Sequence, residues 1–387
     1  MGDPHTPPIV DAPFVNEMRL GPVHWAVVFV IVALALFLTP RLWTRIERYD
    51  TGRDYRIPYA LSKDYWLYER RLDQLSDPQQ VIVLGDSVVW GEYVLPNGTL
   101  SHFLNGEAGG QERFVNAGGE GLHPLALEGM VKYYGGALRH RKILLNCNLL
   151  WLSSPKADLQ DVTEDNLNHS RLLPQFFPRI PSYRADAAER IGATMERDIG
   201  FLSWSEHLQI AYFGGMNVTD WTLASDGGDP PRHPNAYRNP LAQITLNVPS
   251  APETDSKRGP RSRRHRPWTA TSDGPTQFEW VDLNRSLQWA AFQRLLQILR
   301  DRGNEVLVVV GPFNEHMMTE ENRVTYLKLR DGVAKWLTEK HVSSVFPETL
   351  PSELYADASH PLTEGYKLLA KRLLQSGKLS GREWGMQ

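Results

Sequence analysis

The chain has 387 residues, 41% of them hydrophobic and 22% charged, enough for one large globular domain or two smaller ones. Its formal net charge of −3 excludes the strong basic excess that a nucleic-acid footprint requires. Cys147 is the only cysteine, which excludes an internal disulfide and a cysteine-based zinc site; it falls in an apolar run and reads as a buried, inert thiol.

Residues 1–20 are rich in Pro and Asp without periodic pattern and read as a disordered tail. The segment "LGPVHWAVVFVIVALALFLTP" then runs apolar from Trp25 to Leu38, or from Val23 if His24 is tolerated at an interface. At ~1.5 Å per helical residue, the longer run from Val23 to Leu38 covers about 24 Å of a hydrocarbon core of ~30 Å, so flanking residues must snorkel or the bilayer must thin. Residues 21–40 are expected to be a single uncleaved membrane anchor, because the preceding region is long and not basic and no small-x-small cleavage site follows the run. Arg41, Arg45, Arg48, Arg53 and Arg56 follow the span and Arg19 alone precedes it, a distribution that argues for a cytoplasmic main domain. Within a linker over 41–78, "LSKDYWLYERRLDQLSD" places Leu61, Tyr65, Tyr68, Leu72 and Leu75 at helical spacing and predicts a short amphipathic helix.

The main domain is expected over 79–376. "VIVLGDS", "RFVNAGG", "KILLNCNLLWL" and "EVLVVVGPF" read as buried strands, with "SSVFPET" as a weaker fifth. Between them "TLSHFLNGE", "PLALEGMVKYYGGAL", "LNRSLQWAAFQRLLQILRDRG", closed by Gly303, and "EENRVTYLKLRDGVAKWLTEK" read as helices, and "LTEGYKLLAKRLL" as the last. Strands without polar alternation, separated by helices, require a parallel sheet covered on both faces. The fold class is α/β: a doubly wound, flavodoxin-like parallel sheet of about five strands. An insertion over 153–280 breaks the pattern, with helices expected around "ADAAERIGATMERDIGFL" and "SEHLQIAYF" and partial disorder over 222–276. "SKRGPRSRRHRPW" reads as a solvated or disordered segment rather than a polyanion-binding patch, and 377–387 as a tail.

In doubly wound sheets ligands bind at the carboxyl ends of the strands. The residues found there are Gly-Asp-Ser at 85–87, "NAGGEG" at 116–121, "NCN" at 146–148, "GPFNEH" at 311–316 and "DASHP" at 357–361. A nucleophilic serine needs a base within hydrogen-bond reach, a group orienting that base, and donors for the developing oxyanion. Ser87 can be the nucleophile, His360 the base and Asp357 its orienting carboxylate, with the Ser87 N–H available to an oxyanion. Alone, Gly-Asp-Ser fits an ordinary strand-to-helix turn and Asp-x-x-His-Pro a helix cap. Their joint placement, after the first strand and before the last helix, is what points to chemistry.

These blocks resemble the SGNH (GDSL-type) hydrolases. Gly85, Asp86 and Ser87 match the first block, whose serine is the nucleophile; Asn116 and Gly121 match the second, whose glycine N–H serves the oxyanion hole; Asp357 and His360 match the last. The third block departs from the usual Gly-x-Asn-Asp: Asn148 takes the place of the oxyanion-hole asparagine, Asn146 that of the glycine and Leu149 that of the aspartate, with Asn146 the fallback donor. The resemblance implies the SGNH fold and covers roughly 80–150 and 283–376, leaving the insertion unexplained.

Asn314, Glu315 and His316 lie on the same rim, where contacting substrate and satisfying their own loop are both open readings; without a second histidine at ligand spacing they make no metal site, and no cofactor is assigned. Trp90, Glu92, Tyr93 and His123 read as packing residues. The expected reaction is acyl transfer from an ester, on a carbohydrate or envelope component, through Ser87. Water as acceptor makes an esterase; a sugar hydroxyl makes an O-acyltransferase; and the altered third block with the loop arginines motivates a non-catalytic scaffold. Anchored relatives of the family usually act in the cell envelope, so the resemblance implies an extracytoplasmic domain against the arginine distribution. Nothing in the sequence fixes an oligomeric state.

Overall fold

The computed structural model describes residues 20–49, 51, 55–75, 77–109, 113–163, 167–224, 237–248, 266–270, 274–379 and 384. The expected N-terminal tail up to residue 19, Arg19 and Arg53, the "SKRGPRSRR" run and most of 222–276 lie outside them. The chain divides into two units, Met1–Ile46 and Glu47–Gln387.

In the first unit, Pro22–Ile46 form one helix, α1, of 25 residues, with a mean hydropathy of 2.3 in its most apolar window. At ~1.5 Å per residue it is about 37 Å long, so it is long and apolar enough to cross a membrane. The anchor expected to stop at residue 40 continues as helix through Pro40 to Ile46, which makes up the length the apolar run lacks.

In the second unit, five strands form one all-parallel sheet in the order β2-β1-β3-β4-β5: β1 Val81–Gly85, β2 Phe114–Gly118, β3 Lys142–Cys147, β4 Glu305–Val310 and β5 Ser343–Val345. Every residue of β1 and β2 is buried, as expected for aliphatic runs without alternation. Side chains alternate across the sheet. On one face Val81, Val83, Leu144, Leu307 and Val309 join Leu104 of α4 (Leu100–Glu107) and Leu369 and Leu373 of α12 (Thr363–Gln375). The other face is covered by α5 (Pro124–Tyr134) and α10 (Leu287–Asp301), which pack on each other. Each such aliphatic side chain, fully buried, contributes roughly 1.5–3 kcal/mol, which is why the register is firmly set. Gly303, at φ +74°, closes α10 as its position predicts.

One expectation needs correction. The run "KILLNCNLLWL" is strand only to Cys147; Asn148 then caps a tight helical turn over Leu149–Leu152, its Oδ1 accepting from the Leu150 N–H at 3.0 Å. The amphipathic helix expected within 41–78 is present as α2 (Tyr65–Gln74), and its Tyr65, Tyr68 and Leu72 are buried in the second unit. Of the tail expected from 377, Leu379 and Trp384 are buried in the cluster that includes α12.

The insertion is anchored over its first half. Leu159, Leu173, Ile180 and Tyr183 form a small core with Leu125 of α5 and Ala291 of α10. Arg190 of α6 (Ala187–Asp198) binds the carbonyls of Gln175, Tyr183 and Ala185, and α7 (Gly200–Phe213) follows. By contrast α8 (Val218–Leu223) and α9 (Pro240–Gln243) bury no residue.

Candidate active site

Strand order reverses between β1 and β3, and outside the carboxyl ends of two such strands a doubly wound sheet opens a crevice. Ser87 stands there as the first residue of α3 (Ser87–Trp90), capped by Asp86, whose Oδ1 accepts from the Val88 N–H at 2.9 Å. As the first helical residue, its N–H is one of the donors a helix leaves without an internal partner. The approach of α3 to β2 requires glycine at 118, where a Cβ would lie 2.3 Å from the Trp90 nitrogen.

His360 comes from the loop before α12. Its Nε2 accepts from the Ser87 hydroxyl at 2.8 Å, and its Nδ1–H donates to Asp357 at 2.8 Å and 2.9 Å. The Asp357 Oδ1 also accepts the N–H groups of Ser359 and His360, both at 3.0 Å, so carboxylate and imidazole are locked into one turn. Ser87 and His360 are 8% and 7% exposed, buried enough to strengthen these bonds yet open on one side. Burial disfavours charge on His360, but the Asp357 carboxylate and its hydrogen bond, with the charges of Asp86 and Glu92, outweigh it and raise the imidazole to about 9. Burial likewise opposes the Asp357 charge, and the same imidazole and backbone donors hold that carboxyl well below its ordinary range. The three residues expected as a triad are therefore brought together with hydrogen-bond geometry.

The expected oxyanion donors are placed less uniformly. Gly121 sits in the turn after β2 with φ +67°, a conformation that favours glycine, and the Asn168 amide nitrogen lies 2.8 Å from where a Cβ would be. Asn148 is 5% exposed and its Nδ2 donates to Asp86 Oδ2 at 2.7 Å, with a long 3.4 Å contact to Ser359 Oγ. One amide proton is thus committed to Asp86, and the other, held only by the long contact, points among the site residues. Trp151 Nε1 donates to the same Asp86 oxygen at 2.7 Å. Asp86 ties the turn at Ser87 to the loop after β3, a link the sequence did not reveal.

The rim residues expected as possible substrate contacts bond to neighbouring loops, while the buried Oδ1 atoms of Asn146 and Asn314 have no hydrogen-bond partner. Asn314 is fully buried: its N–H donates to Ala358 O at 2.8 Å and its Nδ2 to Asp357 O at 3.2 Å, tying it to the loop that carries Asp357 and His360. Glu315 accepts from Thr349 at 2.6 Å and Arg323 at 3.1 Å, and His316 Nε2 donates to Leu350 O at 3.0 Å. Asn146 Nδ2 donates to Gly311 O at 2.7 Å, linking β3 to the turn after β4. Of the packing candidates, Trp90 is fully buried, but Tyr93 at φ +62° presents its ring edge-on to His360, 5.4 Å between centroids. Holding tyrosine in the left-handed region costs ~1–2 kcal/mol, which the surrounding contacts must offset to keep its ring beside His360. His123 caps α5 through its Nδ1, 3.2 Å from the Ala126 N–H, and burial pushes its imidazole down to about 3. Burial also drives the Cys147 thiol well up, as for an inert cysteine.

Arg56 was invisible as a site residue. Buried at 5% exposure, it lies 3.9 Å over the Trp90 ring and donates to Trp90 O at 3.1 Å and Val94 O at 2.9 Å. It clamps the loop that carries Glu92 and Tyr93. Compared with known proteins, the chain matches no family model and no curated protein significantly.

Proposed function

We propose that the protein is a serine esterase of the SGNH hydrolase type, acting on ester-linked acyl groups of a carbohydrate or envelope component. The observation that carries this reading is the continuous hydrogen-bond chain from Ser87 Oγ through His360 to Asp357. In the proposed cycle His360 Nε2 takes the Ser87 proton as Oγ attacks the ester carbonyl. The N–H groups of Ser87 and Gly121 and the second amide proton of Asn148 receive the oxyanion. Collapse breaks the ester C–O bond, and His360 returns the proton to the leaving alcohol. Water, deprotonated by His360, then attacks the acyl-enzyme; the acid leaves and Ser87 regains its proton.

A second reading, transfer of the acyl group to a saccharide hydroxyl, draws on the insertion: Asn168 lies against Gly121, so an acceptor could be held on that side of the ester. We also place the domain outside the cytoplasm, on the strength of the envelope reading. Incubation of the full chain in detergent with p-nitrophenyl acetate, with and without an added oligosaccharide, tests both: acetate release that vanishes in Ser87→Ala supports the esterase, and an acetylated oligosaccharide product supports transfer. Wild-type protein that neither releases acetate nor forms the acetylated product defeats the proposal.

A further inference from the structure

A cavity of about 660 Å³ opens in the insertion between the loop 167–171 and α6, with Ser170, Arg171, Ser182, Arg184, Glu189 and Glu196 on its walls. We propose that it is a subsite for a neutral saccharide segment of the substrate, an inference that rests on the serine-esterase reading for the chemistry it serves. Its position follows from one loop with two sides. Asn168 lies against Gly121, and His169 Nε2 donates to Glu120 O at 2.7 Å while its Nδ1 accepts from the Tyr65 hydroxyl at 2.8 Å. Leu167, Ser170 and Arg171 of the same loop face the cavity. Three residues span at most about 10 Å, so the cavity begins within that reach of the turn assigned to the oxyanion, a gap a short oligosaccharide bridges.

The lining decides the ligand class. Two arginines face two glutamates, so formal charges balance and neither a polyanion nor a polycation is selected. Arg171 pairs with Glu206 and lies 3.7 Å from Glu196, and Glu189 Oε2 accepts from the Asp186 N–H at 2.9 Å, so the polar groups are fixed rather than splayed. Arg171, Glu189 and Ser182 already hold protein partners, so the cavity offers a fixed polar wall whose remaining hydrogen-bonding capacity suits a hydroxyl-rich ligand better than an acyl tail. The volume falls within the ~300–1,000 Å³ of ligand sites, and Tyr183 and Ala193 supply the apolar surface a sugar ring also needs.

Gly192 provides the test. It lies in α6 on the cavity wall, and a Cβ added there meets nothing within 4 Å, so Gly192→Trp fills the cavity while replacing a helix-interior glycine by a better helix former. Two readouts use the full chain in detergent. Calorimetric titration with xylohexaose is run on Ser87→Ala, with and without Gly192→Trp; the cavity filling is expected to weaken binding about tenfold or more. Turnover of acetylated xylohexaose is compared with p-nitrophenyl acetate in wild type and Gly192→Trp; the ratio of the two kcat/KM values is expected to fall about tenfold, through KM of the oligosaccharide. Equal binding with and without the tryptophan, no binding to Ser87→Ala at all, or an unchanged ratio overturns the subsite. Failure of wild type to release acetate from either ester instead removes the esterase reading, and the titration then decides the subsite alone.

Discussion

Among the described residues two buried histidines sit beside carboxylates, and they differ in what lies at the other ring nitrogen. His360 has Asp357 at Nδ1 and a serine hydroxyl at Nε2. His207 of α7 has Asp64 at Nδ1, 2.7 Å away, and Glu47 at Nε2, 2.9 Å away, all three side chains fully buried. Glu47 also accepts from the Tyr212 hydroxyl at 2.6 Å and pairs with Arg70. In both places burial opposes charge and the carboxylates override it, raising each imidazole to about 9. An Asp–His pair is therefore common to both places; the atom at the second nitrogen is what distinguishes them. A carboxylate there closes a static ionic knot joining Glu47 to α2 and α7, whereas a hydroxyl there leaves a proton that can move.

Substitutions should separate the two sites, in order of effect. Ser87→Ala is expected to lower ester turnover by about 10⁴-fold or more, equivalent to ~5.5 kcal/mol of transition-state stabilisation, with thermal unfolding unchanged. Asp357→Asn should cost about 10³–10⁴-fold in kcat, read by initial rates, because an amide stabilises neither the tautomer nor the imidazolium. His207→Ala should do the reverse: turnover per folded molecule stays at the wild-type value, while denaturant unfolding reports a loss of about 3–5 kcal/mol from carboxylates left buried without their cation. A turnover loss in His207→Ala matching that of Asp357→Asn would break the comparison.

Opposite pH responses sharpen it further. A base must be neutral, so kcat/KM should rise with pH through the raised His360 value, giving an acidic limb near 9 rather than near the ordinary ~6.5. A histidine whose folded pKa is raised stabilises fully below its unfolded value and loses that contribution as pH climbs through the folded one. Stability from His207 should accordingly decline between ~6.5 and about 9, and the pH dependence of the melting temperature should flatten in His207→Ala. The smallest effect belongs to Trp151→Phe, which removes one of the donors on Asp86 and should slow turnover severalfold, about 1 kcal/mol, in steady-state rates.

The sheet and the triad were legible because both leave local marks: aliphatic runs without alternation for β1 to β4, and Ser87, Asp357 and His360 each next to a strand or helix end. What escaped depends on distant backbone. Nothing around Arg56 signals that its partners are Trp90 O and Val94 O, and nothing around Glu47 or Asp64 points to a histidine more than a hundred residues away. Asn314, Glu315 and His316 were read correctly as a rim segment, but their polarity serves the loops at Leu350 and Ala358, an assignment only the fold can make. Asn148 shows the same limit, since its position was legible and its bond to Asp86 was not.

The central claim is that Ser87 is a nucleophile made reactive by His360. Intact-protein mass spectrometry after treatment with a fluorophosphonate measures it directly. The account predicts one adduct per chain, located on Ser87, absent in Ser87→Ala and formed far more slowly in Asp357→Asn but at the wild-type rate in His207→Ala. A folded wild-type chain that takes up no adduct, or takes it up on another residue, would contradict it.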